Sequence, residues 1–164
     1  MKIAYFDCFS GIAGDMALGA LLDCGVPLDE LRAALSTLPV SDWEISAQPV
    51  LQCGLHALQV EIRHRGQTDA EEAAHHHKHH PGHHGHHHGH HHHHGRSMRE
   101  IREIIQASGL SARVQRDSLA IFARIAEAEA YLHHATPDEI HFHEIGGLDS
   151  LLDICGTAWC LEYL

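Results

Sequence analysis

Between His75 and His94 the chain sets fifteen histidines in twenty positions, interrupted only by Lys78, Pro81, Gly82, Gly85 and Gly89. A window without one apolar residue cannot bury enough surface to offset the entropy lost on ordering it. It is therefore expected to be a disordered insert, dividing the chain into residues 1–66, a His-rich loop over 67–96, and residues 97–164. The window also decides how the rest is counted. Apolar residues make up 44% of the 164, and all of them lie outside it, so half of the remaining body is apolar. That is the composition of one globular domain with one core, or of part of one.

The body carries 10 Lys and Arg against 22 Asp and Glu. Phosphate backbones are bound by Lys and Arg clusters, so nucleic acid is not an expected partner. Imidazole, with an ordinary pKa of about 6.5, is mostly neutral at pH 7 and in that state is a metal ligand. Cys8, Cys24, Cys53, Cys155 and Cys160 are odd in number and form no CxxC pair, which argues against a secreted disulfide framework. No stretch approaches membrane-spanning length and no signal peptide is expected at Met1, so a cytoplasmic location is the reading.

Hydrophobic periodicity gives an α+β fold. Lys2 to Phe6 reads as a short buried strand, and a turn at Ser10, Gly11 and Gly14 leads into a helix carrying Met16, Leu18, Leu21 and Leu22. Gly25 and Pro27 separate it from a second helix with Leu28, Leu31 and Leu35 on one stripe. Trp43 to Arg65 alternates with period two around Gly54, which predicts a hairpin, with Pro49 marking an edge or bulged strand. Ile101, Ile104 and Ile105 mark a helix that ends at Gly109. The next helix is expected to bury Val114, Ile121, Ile125, Ala128 and Leu132. An apolar helix closes the sequence. The expectation is a small sheet of the first strand plus the hairpin, packed with four or five helices.

Three constellations carry chemistry. In the tract, His75, His76, His77, His79, His80, His83, His84, His86, His87, His88, His90, His91, His92, His93 and His94 suit nickel, copper, zinc or cobalt. A purification tag is the competing reading, but tags are normally terminal and uniform. So many interchangeable ligands would hold metal loosely, without a preorganised geometry.

The second constellation runs from Glu139 to Asp153. If Ile140 to Glu144 is extended, Ile140 and Phe142 face the core while His141 and His143 share the opposite face. Beyond Gly146-Gly147, an i, i+3, i+4 stripe of Leu148, Leu151, Leu152, Cys155 and Trp159 leaves Asp149 and Asp153 together on another face. Two His, Glu144 and two Asp suit a nitrogen and oxygen metal site. A solvated acidic helix start is the plainer alternative.

The third constellation is Tyr5 to Met16, in which a buried strand would deliver Asp7 and a Ser10, Gly11, Gly14 turn would open a helix, as in α/β sites that meet an anion. It lacks a GK[ST] ending and is no P-loop. A tight structural turn is an equal alternative. Cys8 could be a soft ligand; Cys24, Cys53 and Cys160 read as packing, and His56, His64, His133 and His134 as surface residues.

YFDCFSGIAGDM, the His-rich insert and EIHFHEIGGLDSLLDICGTAWCLEYL, in that order, resemble the LarC nickel insertion proteins across essentially the whole chain. That resemblance implies insertion of Ni(II) into pyridinium-3,5-bisthiocarboxylic acid mononucleotide, forming nickel to carbon and nickel to sulfur bonds. The product is the nickel pincer cofactor of lactate racemase, so the thiolated pyridinium mononucleotide is the implied substrate and the racemase the implied recipient. It also implies CTP, with Mg(II) or Mn(II), bound by a C-terminal LarC portion beyond Leu164, and leaves room for a homo-oligomer. The family motifs match at Asp7, Cys8, Asp15, His141, His143, Glu144, Asp149 and Asp153. From their chemistry, Asp7, Asp15, Glu144 and Asp149 are candidate catalytic groups of a nickel cyclometallase (a lyase). Ser10, Gly11 and Gly14 would bind a cofactor, and His141, His143, Glu144, Asp153 and Cys8 would bind metal. A nickel-storing metallochaperone without catalysis is the alternative. A zinc hydrolase would need three ordered ligands and an open position, more than His141, His143 and Glu144 supply comfortably.

Overall fold

The computed structural model describes residues 3–9, 11–52, 54–64, 96–142 and 147–164. The histidine tract, Lys2, Ser10, Cys53, His143 and Glu144 lie outside these residues, as does the expectation of disorder. Among the described residues the chain forms five α-helices, a 3-10 turn and one two-stranded antiparallel sheet, an α+β fold.

Helix α1 (Gly14–Asp23) ends in paired reverse hydrogen bonds, Gly25 N–H to Leu22 C=O and Val26 N–H to Leu21 C=O. Gly25 has φ +105°, the left-handed conformation such a termination needs, and buried Val26 seals it. Pro27 then caps α2 (Leu28–Leu35), which buries Leu31 and Leu35. The hairpin of β1 (Trp43–Gln52) and β2 (Leu55–His64) turns at Gly54, where φ is +82°. Its register pairs Ile45 with Ile62, Ala47 with Val60 and Pro49 with Leu58, which puts these residues on one face. Ile45 and Val60 are buried there, and Arg32 of α2 donates to the Ile45 carbonyl at 3.1 Å.

Helix α3 (Met98–Gln106) opens on a capping box: the Glu100 N–H donates to Ser97 Oγ, and the Ser97 N–H donates to Glu100 Oε2 at 2.7 Å. Helix α4 (Ala112–His133) is capped by Ser111, whose hydroxyl also donates to Glu162 near the end of α5 (Leu148–Tyr163). Helix α5 is the centre of the molecule, packed by α1, α2 and α4. Its Gly156 stands against Leu18, Leu31 and Leu35, so the helices close over a position without a side chain.

Two expectations fail. Residues 3–9 form no strand and are exposed; a buried strand needs a partner, and none of the described residues pairs with them. In α4 the buried stripe is Val114, Ser118, Phe122, Ala126 and Ala130, while Ile121 and Leu132 are exposed. The inner face mixes alanine and serine with Phe122, whose ring packs near that of Phe142. Cys24 is exposed rather than packed, whereas Cys160 is buried.

Candidate functional site: a carboxylate cavity between the first and last helices

Asp15 and Asp153 belong to motifs at opposite ends of the sequence, yet α1 and α5 bring them together. Asp15 stands in the first turn of α1, and Asp149 and Asp153 stand one turn apart near the start of α5. With Gln59, Val60, Glu61 and Ile62 of β2 they line a cavity of about 310 Å³ that has no Lys or Arg in its lining. Two glycines make the approach possible. A Cβ at Gly14 would overlap the Asp153 carboxyl, and one at Gly19 would overlap the Leu58 carbonyl, so α1 lies directly on α5 and on β2.

The electrostatics follow from this packing. Burial, reinforced by the negative charges of Asp15 and Asp149, pushes the Asp153 carboxyl up to about 7. Its Oδ1 is buried without a hydrogen-bond donor among the described residues. Such a cavity favours a cation and opposes a phosphate. The start of α1 is therefore a poor nucleotide cradle, because its Gly14 faces a carboxyl group. Gly11, at φ +89°, has open space beside it and closes a turn by donating its N–H to the Cys8 carbonyl at 3.0 Å.

The remaining site residues are placed elsewhere. Asp7 and Cys8 are exposed on the irregular segment 3–9, not delivered by a buried strand. Ile140 and Phe142 are buried and His141 is exposed, the alternation of an extended segment. The segment is held by Phe142 N–H donating to the Arg96 carbonyl at 3.1 Å and by a bridge between Ser97 and His141. Phe142 also packs its ring 6.1 Å from that of Phe122. His141 lies near Glu100, whose carboxyl is held below its ordinary value chiefly by hydrogen bonds from Ser97, and it does not line the aspartate cavity. Among the described residues no three His, Cys, Asp or Glu side chains are grouped tightly enough to hold a metal ion.

Glu61 was not legible as a cavity residue, because the polar side of a hairpin strand reads as solvent-facing. The only hint was Gly19, a glycine inside a helix, which marks close backbone approach to that strand. Cys155 and Cys160 are removed from chemistry by burial, which pushes their thiols up to about 11 and about 12. No helix of the described residues is long and apolar enough to cross a membrane.

Fold and cavity together define a small α+β domain with a carboxylate-lined cleft joining its two ends. The chain belongs to the nickel insertion protein family, whose model matches residues 4–164. It is 41% identical to the pyridinium-3,5-bisthiocarboxylic acid mononucleotide nickel insertion protein of Akkermansia muciniphila, over all of this chain and 36% of that protein. It is also 46% identical to a putative nickel insertion protein of Picosynechococcus, over 99% of this chain and 38% of the relative. The chain thus spans a little over a third of the length of these relatives. No solved structure matches it.

Proposed function

We propose that this chain is the metal-handling portion of a cytoplasmic nickel cyclometallase that loads Ni(II) into pyridinium-3,5-bisthiocarboxylic acid mononucleotide for lactate racemase. The observation that carries the reading is family membership over residues 4–164, joined to a relative named for this reaction. In this reading the histidines of residues 75–94 gather nickel, the substrate metal, at many exchangeable imidazoles. The rest of the chain then presents it. Asp15, Asp149 and Asp153 supply negative potential at the cleft, and His141 with His143 and Glu144 supplies nitrogen and oxygen ligands. Forming a nickel to carbon bond at a ring carbon releases that carbon's proton, and the carboxylates of Asp15 and Asp149 at the cleft are the groups assigned to accept it in this reading. CTP and its Mg(II) or Mn(II) are assigned to polypeptide outside this chain, because the α1 start faces carboxyl groups.

The test uses the chain with residues 75–94 removed, titrated with Ni(II) by calorimetry. One tight site is expected, abolished by the double variant His141→Ala, His143→Ala and weakened at least ten-fold by Asp149→Asn. Retention of the tight site in the double variant would sink the assignment of ligands. A storage protein, which the tract alone does not separate from the enzyme, would bind nickel only through the tract. It would also add nothing when the tract-deleted chain, the remaining portion of a relative, CTP and the thiolated mononucleotide are assayed for the nickel adduct.

A further inference from the structure

Residues 3–9 combine the composition of a strand with the environment of none. Ile3, Tyr5 and Phe9 are 79%, 86% and 90% exposed, and Phe6 is 42% exposed. Among the described residues their backbone makes one hydrogen bond, from Gly11 N–H to the Cys8 carbonyl. An aromatic side chain buries roughly 150–250 Å² when packed, so three aromatics and an isoleucine leave a patch of several hundred Å² in water. Patches of that size on a small domain mark interaction sites. Ile3 to Phe6 line a groove of about 810 Å³ together with Ala20 and Leu21 of α1, its C-cap Cys24, and Leu161 and Leu164. Arg113 and Glu162 give it a polar rim.

The geometry points to residues 3–9 as an edge strand that is completed, together with this groove, by the polypeptide that the relatives carry outside the stretch matched here. Three observations favour that occupant. The relatives contain nearly twice as much chain again as this one covers. Among the described residues the N–H and C=O groups from Ile3 to Asp7 have no backbone partner, and such a row is what strand addition uses. The groove is apolar at its floor and charged at its rim, the anatomy of a protein interface rather than of a small-ligand site. The inference rests on the assembly proposed above but not on its chemistry.

Backbone amide hydrogen exchange, read without metal or nucleotide, tests it. The segment aligned with residues 3–9 is followed in this 164-residue chain and in the intact Akkermansia relative. Fast exchange is expected in this chain. Exchange at least ten-fold slower, and independent of protein concentration, is expected in the relative. Fast exchange in both overturns the inference. Protection in either protein that grows with concentration assigns the edge to a second copy and overturns it as well, and so does protection of this chain at every dilution, which would mean the segment is covered from within. Tyr5→Lys and Phe9→Lys in this chain should leave its melting temperature unchanged, because neither side chain is packed; a fall in either overturns the inference. A nickel insertion assay is unaffected by these results, so the two readings fail separately.

Discussion

Gly14 and Asp153 touch with no side chain between them: the first residue of α1 lies against the carboxyl group of α5, where a Cβ would overlap it. Replacing a helical glycine by alanine ordinarily stabilises by about 0.5–1 kcal/mol. Here the sign should reverse. Gly14→Ala is expected to destabilise by about 1–2 kcal/mol as the Asp153 side chain is displaced, and Gly19→Ala by about 2–3 kcal/mol because the Leu58 carbonyl cannot swing aside. Urea unfolding measures both. Adding Asp153→Ala should recover most of the Gly14→Ala loss and none of the Gly19→Ala loss. Two neutral single variants would mean the helices do not meet at these positions.

Asp153 sets a pH dependence with a definite sign. Its carboxyl rises from an ordinary 3.8 to about 7 in the fold, so the native state holds this proton more tightly than the unfolded chain does. Its contribution to stability is complete below pH 4 and declines as pH rises toward and through 7. Asp153→Asn keeps the neutral form at every pH. The variant should match the parent near pH 4 and exceed it at pH 8 by roughly 1–2 kcal/mol, a figure reduced for the solvent that reaches this partly exposed group. Denaturant midpoints at pH 4.5, 6 and 8, each pH about one to two units apart, follow the difference. Parallel curves for the two proteins would show that Asp153 does not titrate in this range.

Nickel capacity should depend on the imidazoles of residues 75–94. Removing them is expected to abolish multiple weak nickel sites, with calorimetry as the readout, and to leave the melting temperature of the metal-free body within about 2 °C, since extra loop length costs little once the loop is long. In the parent, capacity should fall as pH drops below about 6.5, where protons compete for the ring nitrogens. Unchanged capacity after deletion would place the weak sites elsewhere.

Ser118 tests the packing of α4 on α5. It is fully buried, its hydroxyl meets no nitrogen or oxygen partner among the described residues, and it lies beside the Cys155 thiol. A buried hydroxyl without a strong partner contributes little to stability, and burying it has a cost. Ser118→Ala is therefore expected to be neutral or to stabilise by up to about 1 kcal/mol, whereas Ser118→Leu should destabilise by about 2–3 kcal/mol through overpacking. Thermal unfolding of the pair checks both signs.

What the sequence made legible was whatever a local period records. The turn at Gly54, the break at Gly25-Pro27, the alternation of Ile140, His141 and Phe142, and the stripe of α5 all follow from spacing within a few residues. The failures share a cause, in that the deciding partner lies far along the chain. Lys2 to Phe6 reads as a buried strand from its apolar run, but such a run says nothing about whether a neighbouring strand exists. The face of α4 that packs inward carries Ser118, Ala126 and Ala130 beside Val114 and Phe122, small residues that a count of hydrophobicity passes over, while the larger Ile121 and Leu132 mislead it. The two aspartates of α5 were visible as a pair; their meeting with Asp15, and the presence of Glu61 beside them, depend on how α1 lies on β2.

The central place of α5 has a consequence for how the molecule is made. Its partners α1 and α2 precede it by more than a hundred residues. Contacts that join such distant parts of a chain raise the contact order and slow closure. On the ribosome, Leu18, Leu31 and Leu35 must wait for Gly156, with the histidine-rich stretch already outside, so the core can close only after translation has passed the last turn of α5.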